Sequence, residues 1–396
     1  MSTAVMTTGF ELNGTATKAL KAAAGFWFAV AIVGQLVFAA SLAIFYGHSA
    51  AHSNWQAWNS NMTKGYVPGH TLSNSAAAAH ISGAVLIIIL GALQLIPQVR
   101  QRFPVFHRWN GRVYLFGALA ITGSAMYMIW IRGSVGDLTQ HLGSTGNAVL
   151  VWICGGLALR RAMARDFTAH RRWALRLFIV LLGNWFYRVM FTLWMIAMGG
   201  PVGFDATTFT GPFLNFMAFG AYLLPLAILE LYLLAQKSPL AGRRMTMAAA
   251  LFVITLLMGA GAGAAAFGDW IPRMDLRNNK MTDLLAATIR AQGVDAAAAQ
   301  YRSLRAQGFP NMYENETQTN GLGYQFLHSG QFPAAIAILR LNTETHPKSA
   351  NTYDSLGEAC MDAGDKTCAI ESYRHAVALD PKMTSSVNAL KRLTTP

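Results

Sequence analysis

Four histidines recur at nearly regular intervals, His80 and His107 lying 27 residues apart and His141 and His170 lying 29 apart. The second member of each pair opens a basic, aromatic run: His107-Arg108-Trp109-Asn110-Gly111-Arg112 and His170-Arg171-Arg172-Trp173-Ala174-Leu175-Arg176. A neutral imidazole is a nitrogen ligand for iron, and two imidazoles held at one depth by different helices can grip a haem from its two faces. Arginines beside such a pair would neutralise the haem propionates through bidentate hydrogen bonds. The spacing points to His80 with His141 and His107 with His170, and to b-type haem as the candidate cofactor. Arg108, Arg112, Arg171 and Arg176 accompany the second pair, and Arg188 could serve the first. Gly83, Gly91, Gly117, Gly155 and Gly156 lie on the same stretches and could leave room for the macrocycle. A plainer reading competes, because histidine and arginine at helix ends commonly cap terminal carbonyls or contact lipid phosphates.

Arg188 lies inside an apolar stretch, where a charge costs roughly 2.5–3.5 kcal/mol on insertion scales, so it is expected to face protein and meet an anion or a carbonyl. Asn184 precedes it by one turn. Glu230 belongs nearer the other membrane face, which argues against a direct pair with Arg188 and places it within reach of the basic cluster there. His48 and His52 are four residues apart, with His70 in the same loop, but no carboxylate or thiolate accompanies them, and a solvated loop is favoured over a metal site. The sequence contains no phosphate-binding glycine loop, metalloprotease motif or nucleophile and base constellation. No catalytic residue is assigned, and whether the chain is an enzyme stays open.

The elements that must position these residues are membrane spans. The chain is 53% hydrophobic and 12% charged over 396 residues, a balance that favours the bilayer as solvent. Seven stretches are long and apolar enough to cross it, near residues 24–46, 76–97, 111–131, 144–160, 174–197, 213–236 and 246–267. The fourth is short unless it begins around Leu138 or Gln140. Residues 1–267 hold 18 Lys and Arg against 5 Asp and Glu, whereas residues 268–396 hold 13 of each, so the net charge of +13 belongs to the apolar part. That charge sits in short loops and is expected to face lipid rather than nucleic acid. The connections after the second, fourth and sixth spans carry the arginines and those after the first, third and fifth are nearly bare. With Lys18 and Lys21 ahead of the first span, the expected arrangement is a multi-pass inner membrane protein with a cytoplasmic N-terminal segment (1–23), a transmembrane domain (24–267), a linker (268–280) and a periplasmic domain (281–396). Trp55, Trp58, Trp109, Trp130, Trp173 and Trp270 lie near span boundaries and suit the interfacial belt.

The last part of the chain repeats itself. Leu322-Gly323, Ala335, Leu339 and Pro347 align at a spacing of 34 with Leu356-Gly357, Ala369, Tyr373 and Pro381. This resembles the tetratricopeptide repeat, a helix-turn-helix unit whose halves bury their apolar faces only by stacking. Residues 281–307 read as a preceding helical pair and 383–393 as a closing helix. Such an array offers a concave groove for a periplasmic protein or peptide partner, or serves packing alone. In an oxidising compartment Cys360 and Cys368 could pair or remain buried thiols, and Cys154 lies within a span.

Ala79-His80, the run from His107 to Tyr114, the run from His170 to Arg176, and Arg188 together resemble a family of predicted bacterial membrane proteins, domain of unknown function family 2306, over roughly residues 76–195. The resemblance implies a membrane bundle and no established activity, and the family pattern has no clear histidine at the position of His141. The paired tiers also resemble, in arrangement and not in sequence, the di-haem transmembrane cytochromes b that pass electrons across membranes. The expected fold is thus all-α, a bundle of about seven spans followed by a short tetratricopeptide-type solenoid. The expected function is a transmembrane electron-transfer or ligand-binding module with a docking domain; the alternative is a non-catalytic scaffold or sensor.

Overall fold

The computed structural model describes residues 2–62, 64–205, 208–274, 279–308 and 316–394. Among them the chain is helical, with a single isolated bridge between Asp205 and Thr210. The membrane part comprises α1 (Ser2–Ala51), α2 (Thr71–Leu95), the short α3 (Pro97–Arg102), α4 (Pro104–Tyr127), α5 (Leu138–Met163), α6 (Phe167–Leu181), α7 (Gly183–Met198), α8 (Pro212–Lys237) and α9 (Ala241–Ala265). α4 and α9 run on through π-helical turns, Met128–Gly133 and Ala266–Trp270, and a further turn, α10 (Ile271–Met274), prolongs α9. Among the described residues six helices are long and apolar enough to cross a bilayer, and the bent α6–α7 pair brings the number to seven if it crosses as one span.

Each boundary has a local cause. Proline at the first turn starts α3, α4 and α8, where its missing N–H removes no helical bond. α5 begins at Leu138 because the Asp137 carboxylate accepts from the Gln140 amide at 3.0 Å, which gives the fourth span its full length. The fifth span is not continuous: α6 and α7 meet at a 50° bend at Leu182. Gly183 permits the close approach there, since a Cβ would lie 2.8 Å from the Asn147 amide nitrogen. That same amide donates to the Val180 carbonyl at 3.0 Å, satisfying a backbone oxygen that the bend releases inside the apolar layer.

Within the bundle α1 lies along α9 and α2, α2 along α4, α5 along α6 and α8, and α7 along α9 and α8. Gly91, Gly117 and Gly155 serve these approaches, whereas nothing lies within 4 Å of a Cβ built at Gly156. A Cβ at Gly117 would meet Ile87 at 3.0 Å, one at Gly91 would meet Tyr114 at 3.0 Å, and one at Gly155 would meet Leu115 at 3.4 Å. Trp58 and Trp270, 5% and 1% exposed, are core residues rather than belt anchors, whereas Trp55, Trp109 and Trp130 are exposed. The first helix begins well before the apolar stretch and is tied to the start of α9, where Arg244 donates to Thr17 at 2.9 Å and to Asn13 at 2.6 Å.

The C-terminal region is a run of helices, α11 (Asn279–Gln292), α12 (Val294–Ala306), α13 (Glu316–His328), α14 (Phe332–Thr345), α15 (Ala350–Asp362), α16 (Lys366–Leu379) and α17 (Thr384–Thr394), in which α11 packs on α12, α12 on α14, and each helix from α13 onward on the next. Of the expected linker, residues 268–274 are helical and 275–278 lie outside the described residues. The 34-residue spacing is a repeated close approach: a Cβ on Gly323 would collide with Leu339, and one on Gly357 would lie 2.8 Å from Tyr373. Cys360 and Cys368 form a disulfide across α15 and α16 with Cα atoms 5.7 Å apart, and Cys154 is buried and free.

This region rests on the loops that follow α1 and α7. α13 packs on the turn Trp55–Ser60, the Asn54 amide donates to Asp283 at 2.6 Å, and His328 Nδ1 donates to the Asn59 carbonyl at 3.0 Å. Arg392 lies 3.7 Å from Asp205. The bundle therefore has one face covered by the helical region and an opposite face crowded with arginines.

Candidate functional site

On the arginine-rich face, His107 and His170 occupy the first turns of α4 and α6. Asp166 starts α6 by accepting from the Ala169 amide at 3.0 Å, which fixes the position of His170 one residue further. His170 Nδ1 donates to the Ala158 carbonyl at 2.9 Å, leaving Nε2 as the nitrogen with a free lone pair. His107 lies within electrostatic range of His170 and Arg100, and its Nδ1 is buried with no partner. The Gln94 amide holds the His107 carbonyl at 2.9 Å and the Asn110 amide holds Leu90 at 3.1 Å, so the end of α2 sets the pose of α4.

The basic runs after these histidines fold alike. The Arg112 guanidinium lies 4.7 Å from the Trp109 ring centre and that of Arg176 lies 4.5 Å from Trp173, both pairs three residues apart on a helix. Their partners then differ. Arg176 makes a bidentate pair with Glu230 at 2.6 and 2.8 Å, joining α6 to α8, whereas Arg108, Arg112 and Arg171 are exposed. Glu230 thus joins the basic cluster on its own face, as its position in the chain implied.

The other tier is split. His80 Nδ1 donates to the Ile121 carbonyl at 3.1 Å, near the Ser124 hydroxyl at 3.4 Å. His141 stands edge-on to Trp130 at 5.8 Å, and its buried Nε2 has no partner. These two histidines sit on α2 and α5, each of which packs on α4. His80 instead keeps company with Arg188, within electrostatic range of it. His80 lies nine residues from the start of α2 and Arg188 ten from the end of α7, so both are about 15 Å of helical rise from the covered face.

Arg188 sits over the Phe38 ring at 5.1 Å, with Tyr46, Tyr187, Asp269 and Arg273 within electrostatic range. Asp269 is itself paired with Arg273 one turn along the same helix. No hydrogen bond or ion pair reaches Arg188 among the described residues. Asn184 is exposed and takes no part. Sequence reading missed Gln35 and Trp185, which are 0% and 2% exposed and whose side-chain amide atoms and indole nitrogen are unpartnered. The only signal available was a lone amide inside an otherwise apolar first span. His48 and His52 stack at 4.1 Å, with His52 Nδ1 donating to the His48 carbonyl at 2.9 Å. No cluster of three or more His, Cys, Asp or Glu side chains suited to a metal occurs among the described residues.

The fold and these depth-graded polar groups define a polytopic α-helical membrane protein joined to a helical C-terminal region. Residues 77–232, from α2 into α8, match the model of the family described as predicted membrane protein (DUF2306). All four tier histidines, Arg188 and Glu230 fall within the matched residues, whereas Gln35, Asp269 and Arg273 lie outside them. A separate similarity is to superkiller complex protein 3 of Mus musculus, 38% identical over 65 residues. It covers 16% of this chain and 4% of the length of that curated relative. No solved structure matches the chain.

Proposed function

We propose that the bundle is a membrane-embedded cofactor or ligand module, in which His107 and His170 would hold one b-type haem. The observation that carries this reading is their proximity on the arginine-rich face, one imidazole oriented by a carbonyl and the other holding a buried nitrogen without a partner. That donor set fits an iron with two axial sites. Haem, when bound, supplies one-electron chemistry. The chain's own part would be to hold the ring by two imidazoles and its propionates by Arg108, Arg112 and Arg171, while Arg176 stays with Glu230. The pairing of His80 with His141 has less support, because each is turned to different neighbours around α4. Detergent-purified protein, expressed with ample haem and reduced with dithionite, should show a haem b α band that His107→Ala or His170→Ala removes. Lack of the band in the parent protein would end the proposal.

The same reading places the arginine-rich face in the cytoplasm and the helical region, as a tetratricopeptide-type docking domain, in the periplasm. Support comes from the loop charges and from the Cys360–Cys368 bridge, a bond that persists in oxidising compartments. A reporter fused after the last residue that worked only in the cytosol would reverse this topology. A second reading, a scaffold or sensor without redox chemistry, is favoured by the way the helical region is bonded to the loops through Asp283 and His328. It predicts partner binding that survives loss of both axial histidines.

A further inference from the structure

The charged groups around Arg188 do not balance. Arg188 and Arg273 bring two positive charges and Asp269 one negative charge, and Asp269 is committed to Arg273. The other neighbours of the Arg188 guanidinium are the Phe38 ring, the phenols of Tyr46 and Tyr187, and His80. None is an anion. A guanidinium keeps its proton in any such setting, so the charge persists among apolar spans at a cost in free energy.

A second observation is independent of charge. Gln35 is wholly buried with neither amide atom bonded, and the Trp185 indole N–H is buried and unpartnered. Buried polar atoms of this kind normally have a partner. The two residues share a layer, since Gly34 is the α1 residue against which Trp185 packs, a Cβ there lying 2.8 Å from the indole. Gln35 precedes Phe38 by one turn and Trp185 precedes Arg188 by three residues, so the layer adjoins that of Arg188. α1 and α7 meet here through large side chains, with Trp27 6.4 Å from Phe186, Phe38 beneath Arg188, and Phe38, Trp185 and Phe186 in one apolar cluster. The result is an aromatic-walled seam with three unsatisfied donors along one side.

We propose that the seam between α1 and α7 binds an amphiphile by its anionic oxygen group, a carboxylate or a phosphate, with Arg188 as counter-ion and the Trp185 indole and Gln35 amide as hydrogen-bond donors. The apolar remainder lies against Phe38 and Phe186. This site uses neither His107 nor His170, so it stands or falls independently of haem at the other face.

The test titrates the full-length protein in dodecyl maltoside with four radiolabelled probes: oleate, dioleoyl phosphatidate, acetate and inorganic phosphate. Saturable binding of oleate or phosphatidate is expected, weakened at least tenfold by Arg188→Gln and several-fold by Gln35→Leu. The free anions should bind at least roughly a thousandfold more weakly, since they bury no chain. Free anions binding as tightly as the lipids would overturn the amphiphile assignment. Absence of saturable lipid binding, or Arg188→Gln binding like the parent, would overturn the site. Should Arg188→Gln elute as aggregate, Gln35→Leu, which changes no charge, decides the matter: undiminished lipid binding by that variant also overturns the site.

Discussion

The bundle and the C-terminal region each hold a partly buried ionisable group without a paired opposite charge, and the two groups escape their predicament by different routes. In the C-terminal region Glu358 receives a hydrogen bond from the Tyr324 hydroxyl at 2.6 Å, with Asp354, Asp362 and Asp205 as electrostatic neighbours. Burial pushes its carboxyl up to about 7, with help from those acids, so near neutrality it can shed its charge by taking a proton. Arg188 has no such option, because a guanidinium stays protonated. An acid can be buried alone and merely record pH, whereas a buried arginine needs another molecule or a fixed counter-ion. Arg176 shows the fixed solution twelve residues earlier, where Glu230 supplies two hydrogen bonds.

The largest expected effect tests the acid. The folded carboxyl of Glu358 titrates near 7 against a usual value of 4.5, so its favourable contribution is complete below the usual value and is lost as pH rises through about 7. The difference amounts to up to about 3 kcal/mol. Glu358→Gln should therefore flatten the pH dependence of unfolding of the C-terminal region between these limits, measured by thermal melts, and an unchanged slope would break the comparison. Opening the Cys360–Cys368 loop, eight residues in sequence separation, should cost about 2.5 kcal/mol by loop entropy, read as a lower melting temperature of Cys360→Ser or of reduced protein.

Next comes the pair that sharpens the contrast within the bundle. Glu230→Gln leaves the Arg176 charge half-satisfied at a partly exposed site and should lower stability by about 1–2 kcal/mol. Arg188→Gln should leave the melting temperature of delipidated protein unchanged or raised, since it removes an uncompensated cation. Equal losses in both variants would show that Arg188 has a structural partner after all. The smallest effect belongs to Arg302 and Glu344, an exposed bidentate pair at 2.8 and 3.2 Å, where Glu344→Gln should cost under about 1 kcal/mol.

Much of this architecture was legible in the residues. Apolar run length located the spans, and the 34-residue spacing located the close approaches of Gly323 and Gly357, because both signals depend on local composition. Glu230 could be assigned to its basic cluster from depth alone. The interruption at Leu182 was not legible, since Gly183 and Asn184 stand in a run that is otherwise continuous and the residue that stabilises the bend, Asn147, comes from another helix. Gly91, Gly117 and Gly155 were read as space for a macrocycle because spacing cannot tell an open cavity from a neighbouring side chain. Gln35 and Trp185 escaped notice for a related reason: an unmet hydrogen bond is a property of three-dimensional surroundings. Their significance came only with the neighbours that fail to satisfy them.

The bracket that Asn147 places on the Val180 carbonyl has a geometric consequence. The helix bends by 50° at Leu182, with α6 clamped to α8 through Arg176 and Glu230 and α7 laid along α8 and α9. The bend thus sets the slope of the outer half of this span apart from that of the inner half, which carries His170.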